Sequence, residues 1–481
     1  MEAKKSNYNQ NHHAIFLPLP LQGHINPSIN LSLKLASSKN FTVTFLTYDY
    51  LHHQITQAQP LKDSDDIFSR VREGPNRLDI RYRSISDGLP LDFDRNGTKL
   101  EEALGWYVDG KLIDFVMKGV EEIILNSNPK VDVLIIDSFY PWGSKIATKF
   151  GLRFVSFWTE PALVFNLYYH INLLKEHGHF DCPDTRKDPI DYIPGVKSLD
   201  PRDLTSYLQE TNTSTNIHKI LSQAFQDVKS AEFVLCNTIQ ELELDTILAL
   251  QALIPFYAIG PTFRVCSPKN DISTNLLAES DCSEWLNAKP NASVLYVSFG
   301  SLAKLSKDDV MEIAYGLMES NIYFIWVLRP NIVLNDDGVL LPDGFKEGIS
   351  DRGIVVPWTN QNAVLSHPAI GGFLTHCGWN SILESIWYGI PMLCFPVFTD
   401  QFTNRKLVVD NWKVGTNLCE EKQLRRKDID IQIKSFMNQE NVDEMKKNIK
   451  VVRYLLETAL EDDGSSTKNL DIFVEQLNIH P

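Results

Sequence analysis

Short apolar runs alternate with polar spacers of helix length along most of this 481-residue chain. Runs of this length are typical of buried strands, and spacers long enough for a helix favour parallel connections between them. The alternation therefore predicts a mostly parallel, doubly wound α/β sheet. In the first half of the chain the predicted strands are 14–19, 41–46, 78–84, 131–136, 152–157, 232–236 and 256–259.

A polar stretch rich in Ser, Asn and Asp interrupts this alternation and has the composition of an interdomain linker. A second set of predicted strands follows it at 293–299, 322–327, 353–356, 372–374 and 392–395. The chain is also too long for one core of usual size. We predict two facing Rossmann-like domains whose cleft suits two substrates. Their predicted limits are 1–263 and 284–460, with a linker at 264–283 and a last helix in 461–481.

Composition and charge narrow the classes of function. Hydrophobic residues make up 43% of the chain, yet no segment approaches the roughly 18 consecutive apolar residues of a membrane helix. The apolar run 14–21 is short and broken by Pro18 and Pro20, which argues against a signal peptide. Seven irregularly spaced cysteines favour reduced thiols, so we expect a cytoplasmic protein, and we expect a monomer. A net charge of −15 without a basic cluster argues against a nucleic-acid partner.

The densest candidate chemistry lies in residues 358–401, around a glycine-bearing turn. An apolar run at 370–374 predicts a strand, 380–388 predicts the following helix, and His376 and Gly378 lie between them. A helix N-terminus presents backbone N–H groups and a positive dipole end, which together form an anion site.

The side chains of this segment suit the parts of a nucleotide sugar in order. His376, Asn380 and Ser381 suit phosphate oxygens, and Glu384, one turn further on, suits ribose hydroxyls. The flat ring of Trp358 and the amide of Gln361 suit a base. At the other end, Asp400 and Gln401 suit sugar hydroxyls. The alternative is an ordinary strand, helix and strand with common caps, which any one of these residues alone would favour.

Taken together, residues 358–401 resemble the plant secondary-product glycosyltransferase box, the 44-residue signature of family 1 UDP-glycosyltransferases. The chain has its WxxQ opening, HCGWNSxxES centre, GxP turn and terminal DQ. Asn360 departs from the pattern, because the family usually has proline at this position in the loop beside uracil. The resemblance implies the GT-B fold across nearly the whole chain, with segment 467–477 returning to the N-terminal domain.

The resemblance also implies a role for each matching residue. Trp358 would stack on uracil, while the backbone of Thr359 and the side chain of Gln361 would meet uracil and ribose. Glu384 would hold the ribose hydroxyls. The diphosphate would be held by His376, Asn380, Ser381 and Ser301, and the sugar would face Trp379, Asp400 and Gln401. A final glutamine is associated in the family with UDP-glucose, whereas histidine is common in enzymes that use UDP-galactose.

Transfer to a hydroxyl needs a general base, and His24 is the candidate. It follows the first predicted strand, just before a helix predicted at 27–35, where the helix dipole keeps an imidazole neutral. A capping or packing histidine is the alternative, and resemblance to the family's GHxxP motif favours the base. Asp137 closes the strand 131–136 at the same predicted sheet edge and matches the family's catalytic aspartate. It would orient His24 and stabilise its charged form, whereas the alternative is a helix cap.

The predicted reaction is an in-line displacement that inverts the anomeric carbon and gives a β-glucoside. We expect no cofactor and no metal, because the helix terminus itself neutralises the departing UDP. Two DxD patterns, Asp92/Asp94 and Asp428/Asp430, are too short to indicate a metal site and are interpreted as surface features.

Ten aromatic residues lie between positions 139 and 169. Many belong to a core, but those that follow strand ends could line an apolar acceptor pocket. This favours a lipophilic acceptor such as a terpenoid, phenolic or hormone-like alcohol. The candidates are Phe139, Trp142 and Trp158, with Phe398 from the other domain.

Other functions remain as alternatives or are disfavoured by missing motifs. A serine hydrolase of the α/β class would carry GxSxG, which is absent. A nicotinamide-dependent dehydrogenase would show GxGxxG after its first strand, where this chain has a single glycine. A UDP-sugar epimerase, a binder without activity, or a transferase for another UDP-sugar stays open.

Overall fold

The computed structural model describes residues 11–38, 41–58, 66–73, 77–95, 99–181, 186–264, 277–333, 341–419 and 424–479. Within them two parallel sheets form, as the alternation of apolar runs predicted. The first sheet contains β1 (His12–Leu17), β2 (Phe41–Tyr48), β3 (Ile80–Ile85), β4 (Val133–Asp137), β5 (Arg153–Trp158), β6 (Phe233–Cys236) and β7 (Phe256–Ala258). The second contains β8 (Val294–Ser298), β9 (Tyr323–Val327), β10 (Gly353–Val356), β11 (Ile370–Thr375), β12 (Met392–Cys394) and β13 (Gly415–Asn417).

Helices connect the strands and cover both sheets. Those up to the end of the first sheet are α1 (Gln22–Ser37), α2 (Asp49–Ala58), α3 (Ser69–Glu73), α4 (Leu100–Val108), α5 (Lys111–Asn126), α6 (Gly143–Phe150), α7 (Ala162–Tyr169), α8 (Ile171–Glu176), α9 (Ser206–Gln209), α10 (Asn216–Val228) and α11 (Leu244–Gln251). The later ones are α12 (Ser283–Asn287), α13 (Lys307–Ser320), α14 (Phe345–Ile349), α15 (Gln361–Leu365), α16 (Trp379–Tyr388), α17 (Gln401–Lys406), α18 (Arg426–Met437), α19 (Gln439–Ala459) and α20 (Ser465–Leu477).

Strand order identifies the point in each sheet where ligands of doubly wound folds bind. The first sheet runs β3-β2-β1-β4-β5-β6-β7 and the second β10-β9-β8-β11-β12-β13. The order therefore reverses between β1 and β4, and again between β8 and β11. Such switch points leave a crevice beyond the carboxyl ends of the strands. Both candidate sites follow these four strands.

The chain divides into two compact units. The first is Met1–Tyr169, Ser214–Leu276 and Ala459–Pro481, and the second is His170–Thr213 and Leu277–Thr458. Residues 170–213 therefore pack with the second unit, whereas the sequence placed them in the first domain. Ser206 N donates to Thr399 O (2.9 Å), and Asp203 pairs with Arg405. The predicted linker 264–283 falls mostly outside the described residues.

The helix α20 packs on the first sheet. Phe473 meets Phe233 edge-on with ring centroids 5.4 Å apart, and Ser466 Oγ donates to Gly260 O (2.5 Å). Near its end, His12 Nε2 lies 3.1 Å from Asn478 Oδ1. The segment thus completes the core of the first unit.

Two local differences from the sequence prediction have simple causes. The helix α1 begins at Gln22 rather than at Pro27, because His24 N and Ile25 N already donate to Leu21 O at 2.8 and 2.9 Å. His24 therefore lies in the first turn of the helix. The edge strand β13 carries the sequence Gly-Thr-Asn and gives no apolar signal, so the hydrophobic pattern missed it.

Candidate active site

His24 and Asp137 form a buried pair at the first switch point. His24 Nδ1 lies 2.7 Å from Asp137 Oδ2, and the two residues are 8% and 1% exposed. The strands β1 and β4 are neighbours in parallel register, which brings the residues that follow them to one sheet edge. A carboxylate accepts but cannot donate, so Nδ1 carries the proton in this bond. Nε2 is then the ring nitrogen that can accept a proton.

Two further groups fix the orientation of this pair. Asp137 Oδ1 accepts from Phe139 N at 3.1 Å, so both carboxylate oxygens are held. Thr159 Oγ1, which follows β5, lies 2.9 Å from His24 Nδ1. The Phe139 ring meets the imidazole edge-on with centroids 5.6 Å apart. The imidazole is therefore restrained by polar groups on one edge and by an aromatic ring.

A second histidine–carboxylate pair lies at the opposite edge of the same strands. His12 Nδ1 is 2.6 Å from Asp132 Oδ2, and Asp132 Oδ1 also accepts from His13 N at 2.7 Å. Burial lowers the pKa of His12, but the hydrogen bond and charge of Asp132 outweigh burial, and the pKa is raised. This pair stands at the start of β1, away from the carboxyl ends where ligands bind. It serves as an internal comparison for His24 and Asp137.

The turn before α16 has the features of an anion site. Gly378 is the N-cap of α16 and has no side chain that could cap the helix. The start of a helix offers backbone N–H groups and a positive dipole end to an anion. Cys377 adopts a left-handed φ of 65°, which is strained for a residue with a Cβ. Backbone strain of about 1–3 kcal/mol of this kind is concentrated at functional sites.

The His376 ring is held in the narrow space between Gly300 and Gly378. A Cβ at either glycine would lie 2.5 Å from His376 Nε2, closer than any real contact. Burial, assisted by the charge of Arg329, lowers the pKa of His376 to about 4, so the ring is neutral at pH 7. Its Nδ1 has no hydrogen-bond partner within the described part of the chain. Ser301 lies in the same turn as Gly300, after β8, and is partly exposed.

Gly378→Ala is expected to weaken UDP binding at least tenfold, because the added methyl must displace the His376 ring. Titration calorimetry with UDP measures the effect. In a double-mutant cycle the same substitution on a His376→Ala background is expected to add little, since the obstructed ring is gone. Full additivity of the two changes would show that Gly378 acts independently of the ring.

Gln361, which is assigned to the uracil base, is hydrogen-bonded to residues assigned to the ribose and the phosphate. Its Nε2 donates to Glu384 Oε2 (2.6 Å) and to Ser381 Oγ (3.0 Å), and its Oε1 accepts from Tyr296 OH (3.4 Å). Asn360, where the family usually has proline, caps α15 by accepting from Ala363 N at 3.0 Å. Asn360 therefore provides an N-cap for α15, although the family usually has proline at this position.

Trp358 and Thr359 precede this helix. Trp358 O accepts from Ser280 N, and Thr359 Oγ1 donates to Ser280 O, both at 2.9 Å. Thr359 is 6% exposed, whereas the Trp358 ring is partly exposed beside the core. The threonine side chain therefore holds the loop, and the Trp358 ring packs at the margin of the core.

Glu384→Gln is expected to stabilise the free protein at pH 8. Burial raises the pKa of Glu384 to about 7, although hydrogen bonds from Gln361 and Asn362 oppose the rise. A carboxyl group whose pKa is higher in the folded protein than in the unfolded chain stabilises the fold at pH values below its unfolded pKa. This contribution to stability is lost as the pH rises through 7. Glutamine does not titrate, so at pH 8 we expect the free energy of unfolding of the variant to exceed that of the wild type by roughly 1 kcal/mol, or about 2 °C in Tm. At pH 4 we expect little difference between them.

Thermal melts of the free protein across this pH range measure the effect. Glu319→Gln, an exposed substitution in the same unit, is the matched control and should leave the melts unchanged. A gain from Glu384→Gln that did not depend on pH would contradict the assignment of this titration to Glu384.

The residues assigned to the sugar belong to a turn, residues 397–401, that is held by several hydrogen bonds and is called here the sugar turn. Asp400 Oδ1 accepts from Thr399 Oγ1 (2.7 Å), and Asp400 Oδ2 accepts from Asn404 Nδ2 (2.5 Å). Gln401 Oε1 accepts from Val397 N (2.8 Å) and Phe398 N (3.1 Å). These donors fix the amide orientation, so Nε2 is the end of Gln401 left to donate to a ligand.

The aromatic candidates divide between core and surface. Trp158 is 1% exposed, packs on Phe165 and Phe225, and donates from Nε1 to Pro161 O (2.9 Å). Trp142 is 3% exposed and donates to Tyr107 OH (3.2 Å). The packing of both is that of core side chains, which corrects their assignment to an acceptor pocket.

The remaining aromatic candidates differ in exposure. Phe139, beside His24, and Phe398, in the sugar turn, both keep exposed surface. The Trp379 side chain is 3% exposed, with its ring centroid 6.1 Å from that of Trp412. The indole is therefore buried, whereas the Trp379 backbone lies in the first turn of α16. Asn380 is the next residue of α16 and is partly exposed.

The described residues also bear on other ligand classes. They contain no group of three or more His, Cys, Asp or Glu suited to a metal ion. Asp92, Asp94 and Asp428 are exposed, and Asp430 pairs with Lys434 at 2.7 Å. None of the helices that the structure describes has the length and apolar content to span a bilayer. The cysteines within the described ranges are free.

Several residues of the site were missed from the sequence. Thr159 lies directly after β5 and Asp137 is the last residue of β4, so both stand at the carboxyl ends of parallel strands. This shared position could have identified Thr159 from the sequence. Arg329, 3% exposed after β9, gave the same signal. Its Nε has no partner in the described residues, and Nη1 donates to Asn331 Oδ1 at 3.0 Å. Ser206 gave no local signal, because its partner Thr399 is 193 residues away. Asn404 lies one helical turn after Asp400, and this spacing could have identified it.

Comparisons with known proteins agree with this geometry. The family described as "UDP-glucoronosyl and UDP-glucosyl transferase" matches residues 254–455. The chain is 50% identical to UDP-glycosyltransferase 86A1 of Arabidopsis thaliana, over 97% of this chain and 94% of that protein. It is 33% identical to 7-deoxyloganetin glucosyltransferase of Gardenia jasminoides, over 97% and 98%. The solved UDP complex of UDP-glucose: anthocyanidin 3-O-glucosyltransferase superposes with a TM-score of 0.80 at 26% identity, over 98% of this chain and 99% of that one.

Proposed function

This chain belongs to the plant family 1 UDP-glycosyltransferases, a GT-B family, and we propose that it transfers glucose from UDP-glucose to a hydroxyl of a small lipophilic acceptor. The product would be a β-glucoside. The observation that carries the proposal is the His24–Asp137 pair at 2.7 Å at a switch point of the first unit. A full set of nucleotide-sugar residues in the second unit supports it.

Glucose as the transferred sugar is supported by two observations. Gln401 occupies the last position of the family signature, and its fixed Nε2 donor suits a hydroxyl of glucose. A relative at 33% identity, from Gardenia jasminoides, is named as a glucosyltransferase. The carboxylate of Asp400, already fixed by Thr399 and Asn404, would accept from a neighbouring sugar hydroxyl.

The nucleotide would be held by the second unit alone. Trp358 would stack on uracil beside the Thr359 backbone, and Glu384, linked to Gln361, would accept from ribose hydroxyls. The diphosphate would lie at the start of α16, where the N-cap residue Gly378 has no side chain. There it would meet the side chains of His376, Asn380, Ser381 and Ser301.

The proposed chemistry is one in-line displacement. His24 Nε2 takes the proton of the acceptor hydroxyl, and its oxygen bonds to the anomeric carbon while the bond from that carbon to the UDP oxygen breaks. Asp137 stabilises the resulting imidazolium. Charge on the departing UDP is offset at the α16 N-terminus, so we propose that no metal ion is required. A single displacement inverts the anomeric configuration.

A lipophilic acceptor is supported by the surroundings of the base. Phe139 stands against the His24 ring with exposed surface, and an apolar aglycone would cover such a face. The relatives named above glucosylate 7-deoxyloganetin and anthocyanidin, according to their names. Phe398, in the sugar turn, is a second proposed acceptor contact.

We propose that the enzyme acts as a cytoplasmic monomer. The free thiols at Cys236, Cys282, Cys377, Cys394 and Cys419 suit a reducing compartment. Fractionation of plant tissue and light scattering of the purified chain would test these two points.

The purified chain, with and without EDTA, should be offered UDP-glucose, UDP-galactose and other UDP-sugars with a panel of lipophilic alcohols. The proposal expects glucoside formation from UDP-glucose in preference to the other donors, unaffected by EDTA. An epimerase would change the sugar without an acceptor, and a binder would leave both substrates intact. Preferred use of another UDP-sugar would overturn the donor assignment alone.

A further inference from the structure

Residues 203–206, called here the docking segment, hold the sugar turn, which carries the sugar-binding side chains. Ser206 N donates to Thr399 O, and Thr399 N donates back to Ser206 Oγ, both at 2.9 Å. The reciprocal pair satisfies both backbone polar groups of Thr399, one residue before Asp400. Both segments belong to the second unit.

Thr399, which these two hydrogen bonds hold, also has a strained backbone conformation. Thr399 has a φ of 56°, and this left-handed conformation is rare for a β-branched residue. Such a backbone persists only where its surroundings hold it. The conformation matters for the site, because Thr399 Oγ1 donates to Asp400 Oδ1 at 2.7 Å. Loss of the left-handed turn would therefore move the carboxylate as well as the backbone.

A second attachment fixes the helix that follows the sugar turn. Thr403 Oγ1 donates to Asp203 O at 2.6 Å, and the Asp203 carboxylate pairs with Arg405. Asp203 is 5% exposed, so this ion pair is shielded from water. The docking segment is thus attached on both sides of Asp400 and Gln401, at Thr399 and along α17.

From these contacts we infer that Ser206 is a positioning residue for the sugar: through Thr399 it sets where Asp400 meets the glucosyl group. The inference rests on the proposed function in taking glucose as the sugar bound there. The residues assigned to uracil, ribose and diphosphate lie elsewhere in the second unit, at 301 and within 358–384. Ser206 should therefore affect the affinity for the sugar and leave that for the nucleotide unchanged.

Titration of the full-length chain with UDP and with UDP-glucose tests this directly. Ser206→Ala removes one hydrogen bond and keeps the Ser206 N–H, so the protein should fold. We expect UDP-glucose binding to weaken about threefold to tenfold while UDP binding stays the same. Ser206→Thr keeps the hydroxyl and should restore binding. Ser198→Ala, an exposed serine in the same part of the chain, is the matched control and should change neither affinity.

Equal weakening of UDP and UDP-glucose, or no change in either, would overturn the inference, as would failure of Ser206→Thr to restore the sugar-dependent loss. Transfer is not part of this readout. A chain that shows the expected binding pattern but transfers no glucose would refute the proposed function and leave the positioning role standing.

Discussion

Replacement of His24 by alanine is expected to lower kcat by roughly 10²–10⁴-fold, the range that a positioned general base contributes. The reason is chemical, because in the proposed displacement the acceptor hydroxyl then loses the group that takes its proton. UDP affinity should be unchanged, since the proposed donor residues lie in the second unit. Initial-rate kinetics with UDP-glucose and one accepted alcohol, together with UDP titration, measure both quantities.

The His12–Asp132 pair supplies the matched control. His12→Ala removes a buried histidine with a carboxylate partner at 2.6 Å, at the other end of the same strand. It should lower Tm and leave kcat unchanged. If the folded His24→Ala enzyme turned over at the wild-type rate, the proton would have to be taken by another group.

Replacement of Asp137 by asparagine is expected to lower kcat about a hundredfold or more. Asparagine fits the same space, but it offers an N–H where the carboxylate accepted the proton of His24 Nδ1 at 2.7 Å. The imidazole then loses the charge that stabilises its protonated form, and its tautomer is no longer fixed. KM for UDP-glucose should change little, so the loss should fall on kcat.

Asp132→Asn makes the same chemical change at the His12 pair and is expected to affect Tm alone. The substitution also removes the carboxylate that raises the pKa of His12. An Asp137→Asn enzyme with normal kcat would restrict Asp137 to a structural role as a cap.

The pattern of apolar runs predicted the two sheets because fully buried parallel strands have few polar residues. The strand β4, Val133–Asp137, illustrates how far this reasoning extends. Its last residue is a buried acid in an apolar run, and the parallel topology places it beside the residue that follows β1. Position at a strand end thus predicted that Asp137 lies at the same sheet edge as His24, and the family resemblance favoured a contact between them over a helix cap.

The same reasoning failed where contacts depend on packing between segments distant in sequence. Trp142 lies shortly after β4, as Phe139 does, and Trp158 ends β5, yet neighbouring aromatic rings bury both tryptophans. Ser206 and Thr399 are separated by 193 residues, and no local pattern links them. The left-handed backbone of Thr399 also has no signature, because threonine is an uncommon residue at such an angle.

The most direct test of the account is product analysis after the purified chain is mixed with UDP-glucose and lipophilic alcohols. NMR of the product reads the configuration at the anomeric carbon, and chromatography measures UDP. The account predicts UDP and a β-glucoside in equal amounts, formed only when an acceptor is present and lost in His24→Ala. An α-glucoside, or UDP release without any glucoside, would contradict it.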